Sequence, residues 1–136
     1  MATSVGVSGN AIVPDASNTV KIAYTSIGAQ VMPVQPVPCT GIFNCPLPSC
    51  PNGSLSPTNV KIEYSSILAK ITKVTLWCAT NELDNIGPVA SGILATLTPS
   101  IPSGSPLQGY NLQVTVEFGA GPGSMCTIQS LGLQFT

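Results

Sequence analysis

The residues of this chain whose types could do chemistry are five cysteines, one pair of neighbouring acids, a single tryptophan and one glycine-rich loop. Glu82 and Asp84 could help hold Ca²⁺ together with backbone carbonyls, although acids in a turn are more often simply solvated. The cysteines are Cys39, Cys45, Cys50, Cys78 and Cys126, and the chain has no histidine to accompany them. Zinc favours four ligands at C-x-x-C-like spacing, which these lack, so disulfides are the better reading. Cys78 and Cys126 border strand-like runs and could staple two sheets, while two of Cys39, Cys45 and Cys50 could close a small loop. One thiol is then left over, either buried or available for an intermolecular bond.

Gly119-Ala-Gly-Pro-Gly-Ser124 superficially resembles a phosphate loop, but no Lys-Ser/Thr follows and no helix begins there, so a hairpin connection fits better. Serines and threonines abound without a histidine base or a helical S-x-x-K, which leaves nucleophilic catalysis without a candidate. Trp77 and Tyr110 could stack a sugar, yet a lone tryptophan on a strand more often packs against core or interface. Asn52, in the sequon Asn52-Gly-Ser54, is a candidate glycan acceptor on an exported chain. No catalytic residue, metal or cofactor is assigned, and the chain is not expected to be an enzyme.

Charged residues make up only 7% of the 136 residues, against roughly 25% in ordinary soluble proteins. The four basic residues, Lys21, Lys61, Lys70 and Lys73, do not cluster into a basic face, so nucleic acid is a poor partner. A surface of hydroxyls and amides with net charge −1 does not repel copies of itself, and near-zero net charge favours association. No stretch reaches the roughly 18 apolar residues of a membrane-spanning helix, and the N-terminus lacks the features of a signal peptide. Met1 leaves cytoplasmic synthesis and assembly open, as for a virion component.

The elements that must position these residues are strands. Asn18-Thr-Val-Lys-Ile-Ala-Tyr-Thr-Ser-Ile-Gly-Ala-Gln-Val31 and Thr58-Asn-Val-Lys-Ile-Glu-Tyr-Ser-Ser-Ile-Leu-Ala-Lys-Ile71 are two versions of one alternating segment at an offset of 40,. In both copies the apolar phase shifts after the tyrosine, Tyr24 or Tyr64, as at a β-bulge or bend. The copies are expected to be neighbouring strands of one sheet. Residues 3–13 read as one strand with Val5, Val7, Ala11 and Val13 on a single face. Thr72 to Ala79 sets Val74, Leu76 and Cys78 against Lys73, Thr75 and Trp77, while Tyr110 to Phe118 alternates most regularly. In the last strand Ile128 is out of phase with Leu131, Leu133 and Phe135. Segment 33–57, with seven of the thirteen prolines and three cysteines, is expected to be a long loop without regular sheet. Asn81 to Pro88 reads as a turn region and Gly92 to Thr98 as a buried strand.

These signals predict an all-β chain, an antiparallel β-sandwich or jelly roll of about seven or eight strands with a long Cys/Pro-rich loop. Residues 14–136 form the expected single domain. Residues 1–13 are a candidate donated strand, whose Val5, Val7, Ala11 and Val13 would plug a neighbour's sheet. Head-to-tail contacts of that kind propagate into filaments. In this organisation the chain resembles subunits of archaeal extracellular filaments, the bundling pili and threads, and more distantly the bacterial biofilm-fibre sandwiches. That resemblance implies a secreted homopolymer built by donor-strand exchange on the cell surface, without a catalytic site. The alternatives are a virion coat or surface protein, and a secreted β-sandwich module that binds glycans through Trp77 or the 33–57 loop.

Overall fold

A computed structural model describes residues 3–48, 55–100 and 109–136. Asn52 and Cys50 lie outside these residues. The chain folds as two antiparallel sheets packed face to face, a β-sandwich. The strands are β1 (Thr3–Ser8), β2 (Val13–Pro14), β3 (Val20–Thr25), β4 (Gly28–Pro33), β5 (Cys39–Pro46), β6 (Pro57–Ile67), β7 (Ala69–Cys78), β8 (Asn81–Ile86), β9 (Ala95–Thr96), β10 (Tyr110–Phe118) and β11 (Met125–Phe135). The first sheet runs β3-β4-β11-β6-β9, with β1 also paired to β11, and the second runs β2-β5-β10-β7-β8. No helix among the described residues is long and apolar enough to cross a membrane.

Alternation drives this arrangement, because successive side chains on a strand point to opposite faces. In β10, Tyr110, Leu112, Val114, Val116 and Phe118 enter the core while Asn111, Gln113, Thr115 and Glu117 face outward. In β7, Val74, Leu76 and Cys78 are buried as their alternation predicts. The phase change in β11 is a bulge: Ile128 pairs with Tyr64 and Ser130 with Glu63, so Gln129 is the extra residue,. The inner faces meet in one apolar core that includes Phe43, Ile62, Leu76, Phe118 and Phe135. The Tyr110 ring meets Phe135 edge-on at 5.3 Å between centroids.

Several expectations are corrected. Segment 33–57 is not a structureless loop: Cys39-Thr-Gly-Ile-Phe-Asn-Cys45 contains no proline and forms most of β5, an interior strand paired along its length with β10. The prolines flank this run instead of interrupting it. Residues 81–86 are strand β8, held to β7. Gly92 to Thr98 yields only the two-residue β9, and Ile93 and Leu94 are exposed. That segment runs along the outer edge of β6, where Gly92 N–H donates to Ile62 O at 3.0 Å. Gly119 to Ser124 is not a hairpin, since it carries the chain from β10 in one sheet to β11 in the other.

The two repeat copies also diverge. β3 and β6 belong to the same sheet but are separated by β4 and β11. After Tyr24 the phase shift is a hairpin: Thr25 pairs with Gly28 across Ser26 and Ile27. After Tyr64, β6 continues to Ile67, and the chain crosses to the second sheet through Leu68, whose φ is +50°. What the copies share is a tether. Tyr24 donates its hydroxyl to Ile12 O at 2.8 Å, and Tyr64 donates its own to Val89 O.

No disulfide joins any two of Cys39, Cys45, Cys78 and Cys126. Cys78 pairs with Tyr110 at one end of the sandwich, whereas Cys126 pairs with Ser66 near the other. Nine residues of extended strand separate those ends, roughly 30 Å, far beyond the roughly 4.4–6.8 Å between Cα atoms that a disulfide tolerates. Cys39 and Cys45 lie on the same extended strand, so they cannot close a loop on each other. Burial pushes the Cys45 and Cys126 thiols up to about 12, which makes both poor nucleophiles,.

Candidate functional site

The N-terminal segment does not form one strand. Thr3-Ser-Val-Gly-Val-Ser8 alternates cleanly and pairs antiparallel with the last six residues of β11, Thr3 opposite Phe135 through Ser8 opposite Ser130. Gly9–Ala11 then makes a 3-10 turn, capped where Ser8 Oγ accepts from Asn10 N–H at 3.2 Å. The chain next changes sheets, so that Val13 and Pro14 pair with β5. Val5 and Val7 are half-buried against the core. Ala11 and Val13 do not share their face: both are exposed, and the turn hands the buried position to Ile12, which is fully enclosed.

Two features define how β1 is held. On its outward face Gly6 lies opposite Gly132, where a Cβ added at 132 would stand 2.9 Å from Val5 O. Without side chains the two backbones approach closely, under an open groove of about 600 Å³ walled by Lys61, Leu94 and Gln134. The root of the arm is tied down separately. Asn10 Nδ2 donates to Thr25 O at 3.0 Å, and Tyr24 holds Ile12 O. Gly9 sits against the bulge, its missing Cβ only 1.8 Å from Ile128 O.

The far edge of β1 has no backbone partner among the described residues. The far edge of β3, at the end of the first sheet, also has no backbone partner among the described residues, whereas edges on three other strands are covered. Ser91 Oγ accepts from Tyr64 N–H at 2.9 Å on β6, and Ser100 N–H donates to Leu83 O at 2.8 Å on β8. On β5, Thr19 Oγ1 accepts from Ile42 N–H at 2.9 Å. Proteins usually guard bare edges with lysine, proline or a bulge, and residues 3–8 carry none of these.

The remaining candidates do not assemble into a reactive site. Tyr110 is buried in the core, so it cannot stack a sugar beside Trp77. The Asp84 carboxylate is engaged by the backbone N–H groups of Asn85 and Thr98, at 2.7 and 2.8 Å. No metal-ligating cluster occurs among the described residues.

Asp15 acts as a clip. Its carboxylate accepts from Ser17 N–H at 3.0 Å, from Asn44 Nδ2 at 2.7 Å and from Gln113 Nε2 at 3.3 Å, joining the base of the arm to β5 and β10. The Ser17 backbone N–H is the largest influence holding its pKa below the ordinary 3.8, partly offset by desolvation. A lowered carboxylate pKa stabilises the fold above the unfolded value, and the contribution disappears as pH falls through the folded one. Asp15→Asn is therefore expected to lower the unfolding midpoint at pH 7 but not near pH 2, as a pair of denaturation curves would read.

The glycines at 9, 28 and 132 were not singled out by sequence reasoning. Their only local signal is a glycine at or beside a strand-like run, which marks close backbone approach without naming the partner. Comparison with family models, with characterised proteins and with solved structures returned no match for this chain.

Proposed function

We propose that this chain is the structural subunit of a self-assembling extracellular filament, in which the N-terminal strand of one subunit inserts into the sheet of the next. The observation that carries this reading is β1 itself: an uncharged strand whose outer edge has no backbone partner among the described residues, held by pairing to β11 and joined to an anchored root through Gly9. Released from its own β11, it would leave a vacant slot along Ser130–Phe135 that a second copy's β1 fits residue for residue. Main-chain bonds would supply affinity and the half-buried Val5 and Val7 the register. Repetition of such a head-to-tail contact gives an open polymer. A surface nearly without charge offers little repulsion against it,.

The test is electron microscopy and sedimentation of the full-length protein beside the double variant Val5→Asp, Val7→Asp. Two carboxylates carried into an apolar seat cost several kcal/mol, so the wild type should form filaments and the variant should remain monomeric. Filaments of unchanged length from the variant would remove strand insertion. Closed shells from the wild type would select a virion coat instead, and persistent monomers would remove the assembly reading.

A further inference from the structure

We propose that the outward face of the second sheet carries a binding platform for uncharged polysaccharide centred on Trp77. Two rows of side chains cross this face. Glu82, Trp77, Asn111 and Pro46 lie opposite one another on β8, β7, β10 and β5, and Asn85, Gln113, Asn44 and Val13 form the adjacent row around Thr75, which is itself buried. The longer polar groups lock each other in place. Trp77 Nε1–H donates to Gln113 Oε1 at 3.3 Å, Gln113 Nε2 and Asn44 Nδ2 both donate to Asp15 Oδ1, and Asn111 Nδ2 donates to Asn44 Oδ1 at 3.2 Å.

This network has the attributes of a receptor for polyhydroxylated chains. An indole pinned through its N–H loses little freedom when a sugar ring stacks on it, and amides already held by neighbours need no reordering on binding. Each amide retains a second N–H, which can meet a hydroxyl. Val13, 43% exposed, and the exposed Pro46 add apolar surface suited to the C–H faces of sugar rings. The charge pattern bears on the ligand: the two rows and the clip hold the carboxylates of Glu82 and Asp15, and the next row adds a single cation, Lys73 opposite Thr115, so the face offers no basic cluster. Without such a cluster the face has nothing to neutralise a sulfated or uronate chain or a nucleic acid, and a neutral chain needs no neutralising. Asp15 is engaged by three donors, which fixes the amides around it.

Trp77 is the chain's single tryptophan, so its fluorescence reports on the site directly. The full-length protein would be titrated with cellohexaose, xylohexaose, mannohexaose and N-acetylchitohexaose, with heparin as the anionic comparison. The proposal expects a saturable change in Trp77 emission with at least one neutral hexaose and none with heparin. By calorimetry, affinity for that hexaose should fall at least tenfold in Trp77→Ala and several-fold in Asn111→Ala, with far-UV circular dichroism unchanged. Asn111→Ala leaves the indole in place, so it tests the platform even where removal of the indole disturbs the strand. The proposal fails if no neutral hexaose gives a saturable signal, if heparin alone binds, or if both variants bind as the wild type does.

Discussion

Valine at position 132 is expected to leave subunits that fold but cannot accept a neighbour's strand. A Cβ there would stand 2.9 Å from Val5 O and 3.6 Å from Gly6 Cα, both backbone atoms that cannot swing aside. The position faces outward, away from the core, and the nearest atoms to its added Cβ all belong to β1, although Lys61 of β6 is its other cross-strand neighbour. Any strand occupying that slot, the chain's own or a second copy's, meets the same obstruction. The displaced Val5 and Val7 are only half-buried, so the isolated subunit should lose no more than ~2 kcal/mol. Sedimentation should show monomers for Gly132→Val. Mixed with the Val5→Asp, Val7→Asp variant, whose acceptor slot is open and whose arm is disabled, it should give a discrete one-to-one dimer. Polymers formed by Gly132→Val alone would move the contact elsewhere on the molecule, while the assembly reading itself would stand on the wild type's behaviour.

The largest loss of stability is expected at the β11 bulge, from Gly9→Val or Gly28→Val. Both glycines converge on one carbonyl: a Cβ at position 9 would lie 1.8 Å from Ile128 O, and one at position 28 would lie 2.4 Å from it. Gly28 also has φ of +137°, a region that side chains disfavour,. Ile128 cannot retreat, because its own side chain is fully buried and its strand is paired on both sides. Each substitution should therefore cost ~3 kcal/mol or more, through overpacking against backbone and, at Gly28, added backbone strain. Gly87 is the internal control. Nothing lies within 4 Å of a Cβ built there, so Gly87→Ala should change stability by no more than ~0.5 kcal/mol. Chemical denaturation of the three variants reads the contrast directly, and equal midpoints would contradict the crowding at Ile128.

Much of the secondary structure was legible because it is written locally. The alternation of β10 and β7, and the phase change between Ile128 and Leu131, follow from which residue types face the core, and a bulge must appear as a break in period. The same locality explains the failures. Seven prolines obscured the proline-free run 39–45, which β10 holds as an interior strand. The apolar stretch 92–98 looked buried but serves as an edge cover, since hydrophobicity alone does not say what lies on the other side. Ala11 and Val13 continued the alternation of Val5 and Val7 on paper, yet the 3-10 turn moved Ile12 inward and sent Val13 to the other sheet.

By itself, the sequence determined that the chain is all-β, poor in charge, without histidine, and furnished with one small alternating strand near residue 3. Those properties depend on residue types and on neighbours one or two positions away. Only the tertiary structure decided that β1 lies on β11, that Cys78 and Cys126 stand at opposite ends, that three glycines admit close backbone contacts, and that Trp77 belongs to a network with Asp15, Asn44 and Gln113. Each of these joins residues distant in the chain. Which strand pairs with which is settled by burying both inner faces at once, a condition no single segment records.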